Sequence, residues 1–390
     1  MVTPEATPPH SVIGWDVGGA HVKACLLERG EVIDVAQWAC PLWLGLDRLV
    51  AVVEAARARW PAFDATPHAV TMTGEMVDLF VDREDGVARI ATELEGLLAP
   101  RVSGAHARVA FFAGDAGWCG GSKVARQWEQ VASANWFATA RHAALRLGDG
   151  VLVDIGSTTT DLIAFAAGRV TESPTGRVTG VSRSDAQRLA SGELVYHGVV
   201  RTPLCAFARR IPWRGRPHNV MNEFFASAAD VYRLTGELNP DHDLYPSADN
   251  AAKDATATRQ RLARMIGLDA RDGSADEWLA FARAWRRAQV DEIAGQLQRV
   301  LAGHSVGKSA SVVSAGCGDF LVADVLDAAI GDGVIGAPAV KTTSLPVVAY
   351  GRGVACVSVE APSGQAGVQA WAQVCAPSVA VASLFDRDHR

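Results

Sequence analysis

Apolar positions in this chain fall into short runs, and two of those runs end on an aspartate followed by small residues. Val12-Ile13-Gly14-Trp15 reaches Asp16 and then Val17-Gly18-Gly19-Ala20-His21. Val151-Leu152-Val153 reaches Asp154 and then Ile155-Gly156-Ser157-Thr158-Thr159-Thr160-Asp161. Apolar runs of this length, bounded by glycine, predict strands. The first half predicts strands over 12–18, 22–28 and 31–37, an amphipathic helix over 47–59 and a strand over 68–73. A helix over 88–99, a strand over 108–113 and a helix over 136–147 follow. This β-β-β-α-β-α-β-α order suits a layered α/β domain.

The second half restarts the pattern with strands over 151–155, 159–166 and 168–172. Its middle differs. Residues 183–303 predict mostly helix, with Pro and Asp punctuation at 239–249. From Asp276 to Gly303 the residues Trp278, Phe281, Trp285, Ile293, Leu297 and Val300 share one helical face, the pattern of core packing. A strand over 310–315 meets Gly316-Cys317-Gly318-Asp319, and 347–359 reads equally as helix or strand. The expected organisation is an N-terminal domain over 11–148, a C-terminal domain over 149–360 with a helical insert at about 183–303, and a C-terminal helix and tail over 361–390.

Composition narrows the class. A chain of 390 residues with 49% hydrophobic positions suits two or three domains with ample cores. Its net charge of −6 and dispersed Arg and Lys point away from nucleic acid. Seven scattered cysteines without a C-x-x-C pair argue against a zinc ribbon or a disulfide framework and fit a reducing cytoplasm. Met1 to His10 lacks a basic and an apolar region, so no signal peptide is expected; no apolar run reaches membrane-spanning length. Eleven tryptophans leave room for a homodimer interface, although Trp more often fills cores and pockets.

A strand that ends on Asp aims a carboxylate at whatever occupies the next turn. Gly, Ser and Thr there let backbone N–H groups and hydroxyls approach phosphate oxygens. Asp16 with Gly18 and Gly19 fits that description, and equally an ordinary hairpin with a capping Asp. The second turn says more: Gly156, Ser157, Thr158 and Thr159 form a small-residue cradle between Asp154 and Asp161, which packing alone explains poorly. Gly316, Cys317 and Gly318 would let a flat ring or phosphate approach a helix start, or simply make a tight strand-to-helix turn. Two similar hairpins suggest two similar halves across a phosphate-binding cleft.

Together the strand–DxGG–strand start, the strand–DIGxTxTD hairpin and the late strand–GxG–helix resemble the acetate kinase, sugar kinase, Hsp70 and actin superfamily. The resemblance covers most of residues 11–360 and implies two ribonuclease H-like domains around a nucleotide cleft. Asp154-Ile-Gly-Ser-Thr-Thr-Thr-Asp161 looks closest to its hydantoinase/oxoprolinase branch. Thr71-Met-Thr73-Gly74-Glu75-Met-Val-Asp78-Leu-Phe80, Ala134-Asn135-Trp136 and Ala229-Asp230-Val231-Tyr232-Arg233-Leu234 resemble a subgroup tied to tetrahydromethanopterin-linked one-carbon transfer. Characterised members of that subgroup build the methanofuran core. They join an aminomethyl-furan methyl diphosphate to the phenol of a glutamyl-tyramine and release diphosphate. One departure matters: kinases of the superfamily usually carry Thr or Ser after the first D-x-G, and this chain has Gly19, Ala20 and His21.

The resemblance implies a cation and hydrogen-bond donors at the diphosphate and a base for the phenol. Asp16, Asp154 and Asp161 are then the expected Mg²⁺ ligands. Gly18, Gly19, Gly156, Ser157, Thr158 and Thr159 would cradle phosphate. Lys23 and Lys123 are candidate counter-charges, Lys123 fitting a solvated surface position better. Glu75 suits a general base or a ligand for the substrate amine, and equally a helix-start carboxylate. Asn135 could position the phenolic amine or cap the helix at Trp136. Asp230 is expected to be exposed, and His21 to be structural, to meet a phosphate or to serve as a base. Arg201, His218, Asn222 and Glu223 are polar candidates for acceptor specificity. Three functions compete: a diphosphate-releasing synthase that needs no ATP, an ATP-dependent small-molecule kinase or hydantoinase-like enzyme, and a nucleotide switch. No peptide-binding extension favours the last.

Overall fold

A computed structural model of the protein describes residues 11–101, 108–171, 184–304, 310–331 and 345–390. Met1–His10, which does not read as a signal peptide, and the ends of the expected elements at 172 and 183 lie outside the described residues.

The first sheet starts with an antiparallel meander of β1 (Ser11–Val17), β2 (His21–Glu28) and β3 (Glu31–Ala39). Helix α1 (Arg48–Arg59) returns the chain to β4 (His68–Met72), parallel to β1, and α2 (Arg83–Leu97) returns it to β5 (Val109–Phe112), parallel to β4. A short β6 (Trp118–Cys119) closes the edge. Helices α3 (Lys123–Arg126), α4 (Trp128–Val131) and α5 (Asn135–Leu147) follow.

The second sheet repeats the plan. β7 (Gly150–Ile155), β8 (Thr160–Ala166) and β9 (Arg169–Val170) form the meander. Helix α6 (Asp185–Ser191) leads to β10 (Leu194–Val195), which pairs with β8. A separate hairpin of β11 (Arg210–Trp213) and β12 (Arg216–Asn219) precedes α7 (Ala228–Thr235), α8 (Ala255–Arg264) and the long α9 (Ala275–Gly303). β13 (Ser311–Ala315) then lies parallel to β7; after α10 (Val322–Gly331), β14 (Val347–Ala349) lies parallel to β13. The orders β3-β2-β1-β4-β5 and β9-β8-β7-β13-β14 match strand for strand, so the chain is two ribonuclease H-like halves.

Helix α2 starts at Arg83, not 88, because the Asp82 carboxylate caps the Asp85 N–H before the apolar periodicity begins. The 183–303 region is less helical than expected: it contains the β11–β12 hairpin, turned by Arg214 and Gly215, both at positive φ. On α9 the aromatic stripe packs as a core, with Trp278, Phe281 and Trp285 buried. Asp230, expected to be exposed, is buried. It caps Ser227, and Arg233 and Arg261 share its charge.

The segment read as a C-terminal helix and tail forms two helices, α11 (Gln365–Val374) and α12 (Ala376–Asp388). Helix α12 returns to the first half and packs on β1, where its Val379 to Ala382 are fully buried. Gly14 permits that approach, since a Cβ there would lie 2.2 Å from the Ser378 carbonyl oxygen. Among the described residues no single helix is long and apolar enough to cross a membrane. Gly14→Ala is expected to cost about 1–3 kcal/mol through overpacking. Urea unfolding checks this; an unchanged midpoint would show that α12 does not press on β1 as described.

Candidate functional site

The two hairpins place their polar residues by strand register. Asp16 on β1 lies opposite Lys23 on β2, so both side chains share one face of the sheet. The Lys23 ammonium is 3.6 Å from Asp16 Oδ2. In the second half Asp154 lies opposite Asp161, so the position equivalent to Lys23 is a carboxylate. A cavity of about 30 Å³ lies between the halves, lined among others by His21, Lys23, Asp154, Gly156, Ser157 and Cys317.

The Gly156–Thr158 turn is held from behind. The Gly156 carbonyl accepts from the Val199 N–H, the Ser157 carbonyl from the N–H groups of Val200 and Arg201, and the Thr158 carbonyl from the Thr202 hydroxyl. A trans peptide points the following N–H opposite its carbonyl. The N–H groups of Ser157, Thr158 and Thr159 therefore face away from the 199–202 segment, a donor nest suited to an anion. Gly198 lets that segment approach, since a Cβ there would lie 2.3 Å from the Thr158 nitrogen.

Not every expected phosphate donor is placed that way. The Gly18 N–H donates to the His21 carbonyl at 2.9 Å and the Gly156 N–H to the Thr159 carbonyl at 2.8 Å, so both close their own hairpins. Gly19 is held by packing, with Val77 2.6 Å from where its Cβ would stand. Gly316 and Gly318 buttress the end of β7. The Gly318 N–H donates to the Ile155 carbonyl, and a Cβ on Gly316 would lie 2.5 Å from Asp154 Oδ1. Cys317 lines the cavity as a buried thiol, pushed up to about 12 by burial.

Burial dominates the electrostatics. It raises the Asp16 carboxyl against the attraction of Lys23, and Asp16 Oδ1 has no hydrogen-bond partner among the described residues. Burial and the facing Asp161 charge push Asp154 up to about 7, with Lys23 pulling the other way. Desolvation opposes the Lys23 ammonium, but Asp16 and Asp154 outweigh it and hold its proton more tightly than usual. Burial and the charges of Lys23 and Arg201 hold His21 down at about 3, so it is neutral.

Glu75 and Asp161 belong to a second cluster. Glu75 follows β4 in a single turn (Gly74–Met76), buried, and accepts from the Ser133 hydroxyl at 2.7 Å and from Arg83 at 3.3 Å. Arg83 also faces Asp185 at 3.6 Å. Arg188 binds Asp185 at 2.6 Å, takes the Asp161 carboxylate and lies over the Trp136 ring. Burial raises the Glu75 carboxyl, partly offset by the Ser133 hydrogen bond, and its Oε2 has no partner among the described residues. The expected three-aspartate Mg²⁺ set is therefore not assembled: Arg188 claims Asp161. No group of three or more His, Cys, Asp or Glu spaced for a metal ion occurs among the described residues.

Asn135 opens α5, and its side chain accepts from the Trp136 N–H, tied to its own helix start. Lys123 is exposed on α3. His218 lies on β12, with Asn222 and Glu223 exposed in the loop after it. Arg201 reaches the cleft mouth, over the rings of Trp43 and Tyr245. Sequence reading missed Trp43, Tyr245, Arg188 and Asp185. Only the Ser184-Asp185-Ala186-Gln187 capping box was a local signal for the α6 start.

Residues 67–361, more than half the chain, match the hydantoinase/oxoprolinase family, and the protein belongs to that family. A (4-{4-[2-(gamma-L-glutamylamino)ethyl]phenoxymethyl}furan-2-yl)methanamine synthase from Methanocaldococcus jannaschii is 26% identical over 318 residues, spanning 81% of this chain and 88% of the relative. A protein of the same name from Methanococcus vannielii is 27% identical over 176 residues, 45% of this chain and 74% of the relative. Among solved structures, a ROK family glucokinase from Streptomyces griseus in complex with glucose and AMPPNP is 16% identical with a TM-score of 0.44, covering 96% of this chain and 98% of that one. Membership of this family and these synthase relatives mark the chain as an enzyme.

Because the folded Asp154 carboxyl is raised to about 7, the native state holds its proton more tightly than the unfolded chain does. Its contribution to stability is full below the unfolded value near 4 and is lost as pH rises towards 7. The ligand-free melting temperature is expected to fall between pH 5 and pH 8, and Asp154→Asn to flatten that fall by a few degrees. Calorimetry across that range decides; identical slopes in both proteins would contradict the assignment.

Proposed function

We propose that the protein is a synthase joining an aminomethyl-furan methyl diphosphate to a phenolic acceptor, tyramine- or tyrosine-derived, with release of diphosphate in methanofuran or methylofuran assembly. Family membership and the two synthases of that name support it. The observation that carries it is the cleft itself. An Asp16–Lys23 pair and Asp154 stand beside three outward N–H groups, while the first turn offers Gly19, Ala20 and His21 where a kinase of this superfamily usually has a hydroxyl.

Asp16 and Asp154 suit Mg²⁺: Asp16 Oδ1 is buried without a partner, and hard carboxylates with substrate phosphates make a typical Mg²⁺ donor set. Asp161 does not join them, since Arg188 neutralises it. When bound, the cation would offset the negative charge of the diphosphate.

The remaining roles fall to the chain. Lys23 and the N–H groups of Ser157, Thr158 and Thr159 hold the diphosphate and stabilise the charge that grows as the methylene C–O bond breaks. The electron pair of that bond leaves with the diphosphate. The phenol oxygen forms the new ether bond, and its proton passes to Glu75, whose free Oε2 and raised proton affinity suit a general base. Neither step consumes ATP.

The test is condensation followed by mass spectrometry, with purified protein, Mg²⁺, the furan diphosphate and a mix of phenolic amines, with and without ATP. An ether product and free diphosphate are expected without ATP. ATP turnover with no ether would instead establish a kinase-like enzyme. In the same assay Glu75→Gln is expected to lower kcat roughly 10²–10⁴-fold and to remove the acidic limb of the pH profile, leaving diphosphate affinity intact. Unaltered kcat would remove Glu75 from the chemistry.

A further inference from the structure

Among the described residues, most partly or fully buried arginines sit in ion pairs. Arg57, Arg83, Arg188, Arg233, Arg261 and Arg286 each pair with a carboxylate. Arg201 pairs with none. Its guanidinium instead lies over two rings, 5.3 Å from the Trp43 centroid and 5.7 Å from that of Tyr245. A partly buried guanidinium with no anion beside it keeps its planar donor fork available for one.

Its position is set by the phosphate turn. The Arg201 N–H donates to the Ser157 carbonyl at 2.8 Å, on the edge of that peptide opposite the Thr158 N–H. Its charge reaches the first turn, where it helps keep His21 neutral. Tyr245 ties the same region across the cleft: its ring meets His21 edge-on, 5.2 Å between centroids, and its hydroxyl donates to the Ala20 carbonyl. Arg201 thus lies where both turns and the 239–253 segment meet.

We propose that Arg201 is a binding residue for a diphosphate group held between the two turns, its guanidinium presented by the Trp43–Tyr245 pair. The inference rests on the synthase reading for which diphosphate is meant, the furan donor's own. The chemistry it recognises is shared with the diphosphate of a nucleotide. Trp43 and Tyr245 orient the planar guanidinium; a lysine there keeps the charge and loses the stacking and the fork.

Calorimetric titration with inorganic diphosphate, and separately with ATP, tests it on the full chain with Mg²⁺ present. Arg201→Gln is expected to weaken diphosphate binding roughly 10- to 100-fold, and Arg201→Lys to recover only part of that loss. In the condensation assay Arg201→Gln is expected to raise KM for the diphosphate donor more than it lowers kcat. Melting temperatures check folding, and Arg201→Lys carries the test should the Gln variant unfold. Wild-type affinity for diphosphate in both variants would overturn the proposal, even with condensation intact, as would a wild-type protein that does not bind diphosphate. Weakened diphosphate binding in a protein that forms no ether would uphold Arg201 and refute the synthase reading. A parallel loss of ATP affinity would then identify the nucleotide as the source.

Discussion

Lys23 stands between two carboxylates, buried Asp16 and half-buried Asp154, and the rest of the cleft is arranged around that balance. Asp16 faces it across the β1–β2 ladder, and Asp154 reaches it from the other half. Two negative charges and one positive charge held close together and largely out of water leave a deficit that burial makes costly. Asp154 answers by holding its proton up to about 7. A cation between the carboxylates would relieve the same deficit.

The two hairpins are alike in backbone and opposite in charge. Where the first sets Lys23 against Asp16, the second sets Asp161 against Asp154. Like charges in directly opposed strand positions are destabilising, and the fold answers with Arg188. That arginine draws Asp161 into the network of Asp185, Arg83, Ser133 and Glu75, whose members come from both halves. A duplicated fold has thereby acquired two different charge arrangements: a cleft centred on Lys23 and a carboxylate–arginine network shared by both halves.

Each half also depends on the other for its position. Helix α12, from the far end of the chain, covers the first sheet against Gly14. The 239–253 segment returns from the second half to place Tyr245 on the first turn. The cavity as it stands has room for little more than water.

The sequence by itself determined the two strand–Asp–small-residue turns, the strands of the two meanders and the core stripe of α9, because each is a local pattern: period two, period 3.6, or a glycine-rich turn. It also brought Asp16, Lys23, Asp154 and the Ser157–Thr159 turn forward together, and the fold places Asp16, Lys23 and Asp154 close to one another. It could not separate Asp161 from that group, since its fate depends on Arg188, 27 residues away. Nor could it show that the Gly18 and Gly156 N–H groups close their own hairpins, that Gly316 is needed for contact with Asp154, or that Asp230 is buried. Those outcomes rest on hydrogen-bond direction, close approach and charge pairing between segments distant in the chain. Only the tertiary structure decides which donors and charges remain free to meet a ligand.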